Sequence, residues 1–222
     1  MKRTFGLISL LLVLLLALTS CAGGNKFEAD GLGFVDKKTD VNYNFAPLCY
    51  EPMALEEKIY GTDGDLEFYK IVGQDPLKWL GEADGGVFYA EGITLPTLDK
   101  MTVSRVELCT DGNQTFVRDR ITDSVDISEL IAEYMAGESI YYPNNSPSLS
   151  YKLRFADDTI GVYYCVDFVR YAEDYVVTVS GEEINYGTDF LYNRSEKKFI
   201  VAPETLSERV DALAGVTEDA SE

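Results

Sequence analysis

The feature that most restricts the fold is a two-residue alternation of apolar and polar side chains between residues 149 and 168. Leu149, Tyr151, Leu153 and Phe155 fall on one face, and Ser150, Lys152 and Arg154 on the other. Successive side chains of a strand point to opposite faces, so this period specifies β-structure rather than helix. Asp157-Asp158-Thr159 reads as a turn. Residues 160–168 read as the returning strand, with Ile160, Val162, Tyr164, Val166 and Phe168 aligned. Residues 174–179 read as a third strand closed by a Ser180-Gly181 turn, and the three together predict an antiparallel meander.

The same reading extends upstream. Residues 102–109 and 115–118 flank Thr110-Asp111-Gly112-Asn113, and Asp-Gly between apolar runs is a hairpin signal. Residues 66–72 and 87–90 are shorter strand candidates. The 15 Tyr and 11 Phe favour strands as well.

Two segments carry helical spacing instead. Ile127, Leu130, Ile131, Tyr134 and Met135 form one apolar stripe. Asp126 is placed to cap this helix, with Glu129 as capping-box partner and Val125 and Leu130 as a hydrophobic staple; Gly137 stops it. A second helix starts near Pro203, with Leu206, Val210, Leu213 and Ala214 as its stripe and Gly215 as its end. The fold class expected is α+β, mostly antiparallel sheet built of meander and hairpins, with two peripheral helices.

One internal likeness stands out. Residues 34–47 (FVDKKTDVNYNFAP) align without gaps with residues 190–203 (FLYNRSEKKFIVAP), each a polar middle between apolar flanks. The pattern predicts a strand–turn–strand hairpin in both places. It has two origins open to it, an ancient duplication or the shared residue chemistry of hairpins.

The amino-terminal end carries a different message. Met1-Lys2-Arg3-Thr4 is basic, and a 14-residue apolar run follows from Phe5 to Leu18. A helix crossing the ~30 Å hydrocarbon core needs roughly 20 such residues, so this run suits an export leader better than a permanent span. Leu18-Thr19-Ser20-Cys21 resembles the lipobox of bacterial lipoproteins. That resemblance implies a diacylglyceryl group on the Cys21 thiol, cleavage just before it, acylation of the new amine, and residence at the extracytoplasmic face of the cell membrane. Two acyl chains anchor stably where one does not, at ~0.8 kcal/mol per buried CH₂. Leu95-Pro96-Thr97 lacks the following Thr-Gly of a cell-wall sorting signal, so anchoring by that route is excluded. The domain plan expected is a leader at 1–20, the lipidated cysteine and a short tether at 21–32, one β-rich domain at 33–215, and an acidic disordered tail at 216–222.

Charge narrows the partners. The chain has 19 basic and 38 acidic residues, and loss of Lys2 and Arg3 with the leader takes the net charge to −21. Nucleic-acid affinity rests on basic residues neutralising phosphates, so no nucleic-acid partner is expected. Such acidity serves solubility, or else it suits a cationic partner such as a basic protein, peptide or metal ion. Histidine is absent, which removes the commonest general base near neutral pH and any Ser-His-Asp or Cys-His apparatus. With Cys21 lipidated, Cys49, Cys109 and Cys165 remain, and they are read as small buried hydrophobes or as one disulfide plus a free thiol.

The acidic pairs Glu56-Glu57, Asp157-Asp158 and Glu182-Glu183 are weighed as acid–base pairs and read as solvated surface charge. Asp63-Gly64-Asp65 with Glu67 has calcium-loop spacing, but position 74 is Gln and a simple turn fits better. Trp79 is read as a packing residue, and Tyr141-Tyr142-Pro143-Asn144-Asn145 as a strand end and turn. No P-loop, dinucleotide fingerprint, Cys-x-x-Cys or Gly-x-Ser-x-Gly motif occurs. The expectation is a lipid-anchored protein with a non-enzymatic binding or envelope-associated role and a protein, peptide or cell-envelope partner. Cys21 is its one assigned site residue, and no catalytic residue, cofactor or metal is assigned. A small-solute or peptide capture protein accessory to transport is the alternative. A carboxylate-dependent cell-wall hydrolase, requiring two buried carboxylates on one cleft, is the third.

Overall fold

The computed structural model describes residues 24–31, 33–110 and 115–215. The leader, Cys21, the Asp111-Gly112 turn and the 216–222 tail lie outside the described residues. The architecture is mostly antiparallel β-sheet with two helices, the class the alternation predicts.

The first half is a barrel. Its strands are β1 (Asn25–Asp30), β2 (Gly33–Asp36) and β3 (Val41–Phe45), then, after β4 (Tyr50–Pro52), β5 (Leu55–Asp63), β6 (Leu66–Ile71), β7 (Trp79–Glu82) and β8 (Val87–Ala90). They close in the order β1-β2-β3-β8-β7-β6-β5. All neighbours are antiparallel except the closing pair, where Asn25 meets Gly61 and Lys26 meets Thr62 in parallel register. Aromatic rings fill the interior: Phe27 stacks on Phe68 at 4.2 Å, and Phe88 meets Phe68 edge-on at 5.1 Å. Burial of such rings is the largest favourable term a small barrel has.

β1 corrects the domain plan. Residues 25–30 fall in the segment expected to be a tether, yet they form a barrel strand. The reason is Phe27, 2% exposed among Tyr43, Tyr60 and Phe68, together with Asn25, whose Nδ2 donates to the buried Asp36. One large apolar residue among Lys26, Glu28 and Asp30 gives little alternation to read.

The second half is an open sheet. Its strands are β9 (Arg105–Thr110), β10 (Val117–Ile121), β11 (Leu149–Asp157) and β12 (Val162–Arg170), with β15 (Asp189–Asn193) and β16 (Lys198–Val201), in the order β10-β9-β11-β12-β15-β16. β11 and β12 pair along their whole length, from Leu149 opposite Arg170 to Asp157 opposite Val162. The third strand of the expected meander does not follow them. Residues 176–179 (β13, Val176–Val179) pair only with β14 (Glu182–Asn185) in a separate hairpin, and β12 takes β15 as its neighbour. Val176 and Ile184 remain exposed on that hairpin, so no buried face recruits it to the sheet.

β4 welds the two halves. It leaves the barrel between β3 and β5 and pairs with residues 162–164 of β12, end to end with β15 on the same edge. The sheet's inner face is then covered by the barrel wall, with Ile71, Trp79 and Val87, and by α1 (Ser124–Ala136) and α2 (Glu204–Ala214).

Ile127, Leu130 and Tyr134 of α1 are buried, as the spacing predicts, but the cap differs. Asp123, not Asp126, accepts from the backbone N–H groups of Val125 and Asp126, so the helix begins earlier than expected. Val125 is exposed, so no staple forms with Leu130. α2 buries Leu206 and Val210 with Leu213 packed beside them, Ala214 is exposed, and the helix ends at Gly215 with φ 71°.

The two similar segments are both hairpins with four-residue connections. Their structural equivalence is one residue out of step with their alignment. The last strand residues are Asp36 and Asn193, and the left-handed turn residues are Asp40 and Lys197. A one-residue slip moves every side chain to the other face. The likeness is therefore one of hairpin chemistry: each connection is held by an Asx side chain accepting from a turn N–H.

Candidate functional site

The weld between barrel and sheet carries a network of ion pairs beside an open groove. On the sheet's outer face, Glu51 of β4 accepts from Lys152 Nζ and Arg154 Nη2 of β11, each at 2.6 Å. The Arg154 guanidinium lies 5.2 Å over the Tyr163 ring. Beside it, Glu107 of β9 is 4% exposed, accepting from Arg105 Nε at 3.1 Å, Arg120 Nε at 3.2 Å and the Tyr163 hydroxyl at 3.1 Å. Burial alone would raise both carboxyls. The hydrogen bonds and charges of their cationic neighbours outweigh it and hold both below the usual carboxylate range.

Glu107 is thus a buried and Glu51 a part-buried carboxylate, both fully committed to ion pairs, a state unsuited to donating a proton at neutral pH. Sequence reading missed them because neither has an acidic neighbour. The usable signal is register: Arg105 lies two residues from Glu107 on one strand, and Arg120 lies directly opposite across the ladder.

Beside this network runs a groove of three connected hollows. The first, about 550 Å³, lies at one end of the barrel between Phe34, Phe45, Tyr89 and Glu82. The second, about 320 Å³, shares Phe45 and Glu82 with it and adds Leu48, Glu51 and Asp84. The third, about 240 Å³, shares Leu48 and Glu51 with the second and reaches Lys152, Asp167 and Arg194 on the sheet. Glu82 contrasts with Glu51: burial, and then the charge of Asp84, raise its pKa.

The residues singled out from the sequence fall as follows. Glu56-Glu57 and Glu182-Glu183 are exposed on strands β5 and β14. Asp157 departs from the solvated role expected of it. It is 3% exposed and accepts from Thr102 N, Thr159 N and Thr159 Oγ1, while Asp158 pairs with Arg105. Asp63-Gly64-Asp65 makes the β5–β6 turn with Gly64 at φ 58°. Among the described residues no three His, Cys, Asp or Glu side chains converge as a metal site.

Trp79 is buried in the main core. Tyr141–Asn145 is an irregular link rather than a strand end. Tyr141 is exposed there, while Tyr142 packs on Tyr192 and Phe199. Cys49, Cys109 and Cys165 are free and buried. Burial pushes the Cys49 thiol up to about 11 and raises the other two, leaving all three protonated and unreactive at neutral pH.

No protein-family model, no curated protein and no solved structure matches the chain.

Proposed function

We propose that the protein is a lipoprotein anchored through Cys21 at the extracytoplasmic face of the cell membrane, with a non-enzymatic binding role toward a protein, peptide or envelope component. The observation that carries this reading is the Leu18-Thr19-Ser20-Cys21 box behind a basic, apolar leader. The barrel adds a geometric consequence. With β1 starting at Asn25, only residues 22–24 separate the lipid foot from the fold. At roughly 3.3–3.6 Å per residue, the barrel rests within about 14 Å of the anchoring sulfur. The groove, open and lined by rings and charges, supports the binding role, since recognition sites are concave with a few placed polar groups.

Mass spectrometry of the native protein tests the anchor. The expected product starts at Cys21 and carries diacylglyceryl and acyl mass; an unmodified sulfur or a retained leader overturns the reading. A Cys21→Ser variant is expected to leave the membrane fraction.

A further inference from the structure

We propose that the Glu82 end of the groove binds a cationic side chain of a polypeptide partner, with an apolar neighbour of that side chain resting on Phe45 and Leu48. The inference rests on the binding role proposed above and is independent of the lipid anchor.

Three observations place the cation there. The first is an imbalance of charge within the groove. Glu51 is neutralised by Lys152 and Arg154, whereas no cation stands beside Glu82 or Asp84 among the described residues. A half-buried carboxylate with a second acid as its neighbour is stabilised by any cation that enters.

The second observation is how closely an anion and a ring are set together. A Cβ added to Gly86 would lie 2.8 Å from Glu82 Oε2 and 3.0 Å from Phe45 Cε2. The carboxylate and the ring therefore lie within about 6 Å of each other and close over the bare Gly86 backbone, leaving no room there even for a methyl group. The Gly86 backbone is not left-handed, so the turn does not require glycine there. What the missing Cβ permits is the close setting of an anion beside an aromatic ring at the rim of the hollow, where an ammonium or guanidinium entering from solvent meets the carboxylate and covers the ring.

The third observation is apolar exposure beside the charge. Phe45 is 40% and Leu48 70% exposed, adjoining one another in the second hollow. A partner that brings only charge would leave them wet, whereas a peptide carrying a basic residue next to an apolar one covers both. The net charge of the mature chain steers such a partner inward. Arg194, exposed at the far end, repels it from that end and sets its direction along the groove.

The test uses the purified mature protein and fluorescent hexapeptides of alternating Lys and Phe, with Glu–Phe peptides for comparison, followed by anisotropy. Binding of the Lys–Phe peptide, and none of the Glu–Phe peptide, is expected. Glu82→Gln should weaken it at least tenfold. Gly86→Val, which forces the Glu82 carboxylate and the Phe45 ring apart without altering charge, should do the same. Glu133→Gln, an equal loss of charge on the exposed side of α1, should leave affinity within twofold. Equal loss in Glu82→Gln and Glu133→Gln reduces the effect to overall charge and overturns the proposal, as does unchanged binding by Gly86→Val. Binding of neutral N-acetylglucosamine oligomers in place of the Lys–Phe peptide overturns the cationic ligand while preserving the binding role. A photo-crosslinker at Leu48 that captures nothing in intact cells sinks the binding role itself.

Discussion

Arg154 and Glu51, 103 positions apart in the chain, meet with Nη2 and Oε2 2.6 Å apart, so that one ion pair fastens the strand leaving the barrel to the outer face of the sheet. Lys152 binds the other oxygen of the same carboxylate, and Arg154 Nε is buried without a partner among the described residues. Removing the carboxylate therefore leaves two part-buried cations uncompensated. Breaking one side of a buried pair costs about 3–5 kcal/mol, less where water reaches it. Glu51→Gln is expected to cost about 2–3 kcal/mol in urea unfolding. An unchanged midpoint would show that the weld does not depend on this pair.

The depressed carboxyls make stability fall in acid. Glu51, Glu107 and Asp189 all sit below their ordinary values despite burial, held there by Lys152 and Arg154, by Arg105 and Arg120, and by Arg170. A group with a lowered folded pKa binds protons more readily when unfolded. Its stabilisation is full above the unfolded values of about 4 and is lost as pH falls through the folded pKa. Thermal melting should be nearly flat from pH 7 to 5.5 and fall steeply below about pH 4.5. Glu107→Gln should melt lower at neutral pH and show a shallower acid decline. A decline as steep as that of the unsubstituted protein would remove Glu107 from the account.

Cys49 and Cys165 tempt a disulfide, since Cys165 N–H donates to the Cys49 carbonyl at 2.6 Å. Their side chains pack into different clusters, Cys49 with the main core and Cys165 with Ala156 and Tyr163. Thiol titration of a denatured Cys21→Ser variant should count three free thiols, and the folded variant should react slowly because all three are buried. A count of one would reveal a bridge.

Helix α1 separates two acids that sequence alone cannot rank. Asp123 accepts two backbone N–H groups at the first turn, whereas Asp126 lies inside the helix near Arg209. Asp123→Ala should cost about 1 kcal/mol, the usual worth of an N-cap, and Asp126→Ala less. Equal losses in denaturant would contradict the assignment.

These cases mark what the sequence can and cannot convey. Where one face is buried, as along 149–155, alternation is legible and both strand and partner follow. β12 was also found, but its outer face carries buried Tyr163, Cys165 and Val169, and nothing in the pattern announces that two different strands share its far edge. Local signals placed residues 176–179 in a strand yet could not assign its sheet, because pairing is decided by burial that Val176 and Ile184 never achieve. The groove is the least legible part. Glu82 and Gly86 belong to one hairpin turn, but Phe45 comes from β3, and only the long-range β3–β8 pairing, with Phe45 opposite Phe88, sets it beside them.

Closure itself depends on a glycine. Gly61 sits opposite Asn25 in the parallel pair that seals β1 to β5, and an added Cβ would lie 2.3 Å from Phe27 Cε2 and 2.6 Å from the Asn25 carbonyl oxygen. The ring is locked between Phe68, Tyr43 and Tyr60, and the carbonyl belongs to the ladder, so neither can yield cheaply. Overpacking of this kind costs about 1–3 kcal/mol. Because two residue pairs close the seam among the described residues, the strain in Gly61→Ala should be relieved by releasing β1 rather than by deforming the whole barrel. Hydrogen exchange would then quicken at amides 25–30 while amides of β11 and β12 stay protected. Unchanged exchange in β1 would mean that the seam tolerates the methyl and that aromatic packing, not the Asn25–Gly61 contact, holds the barrel shut.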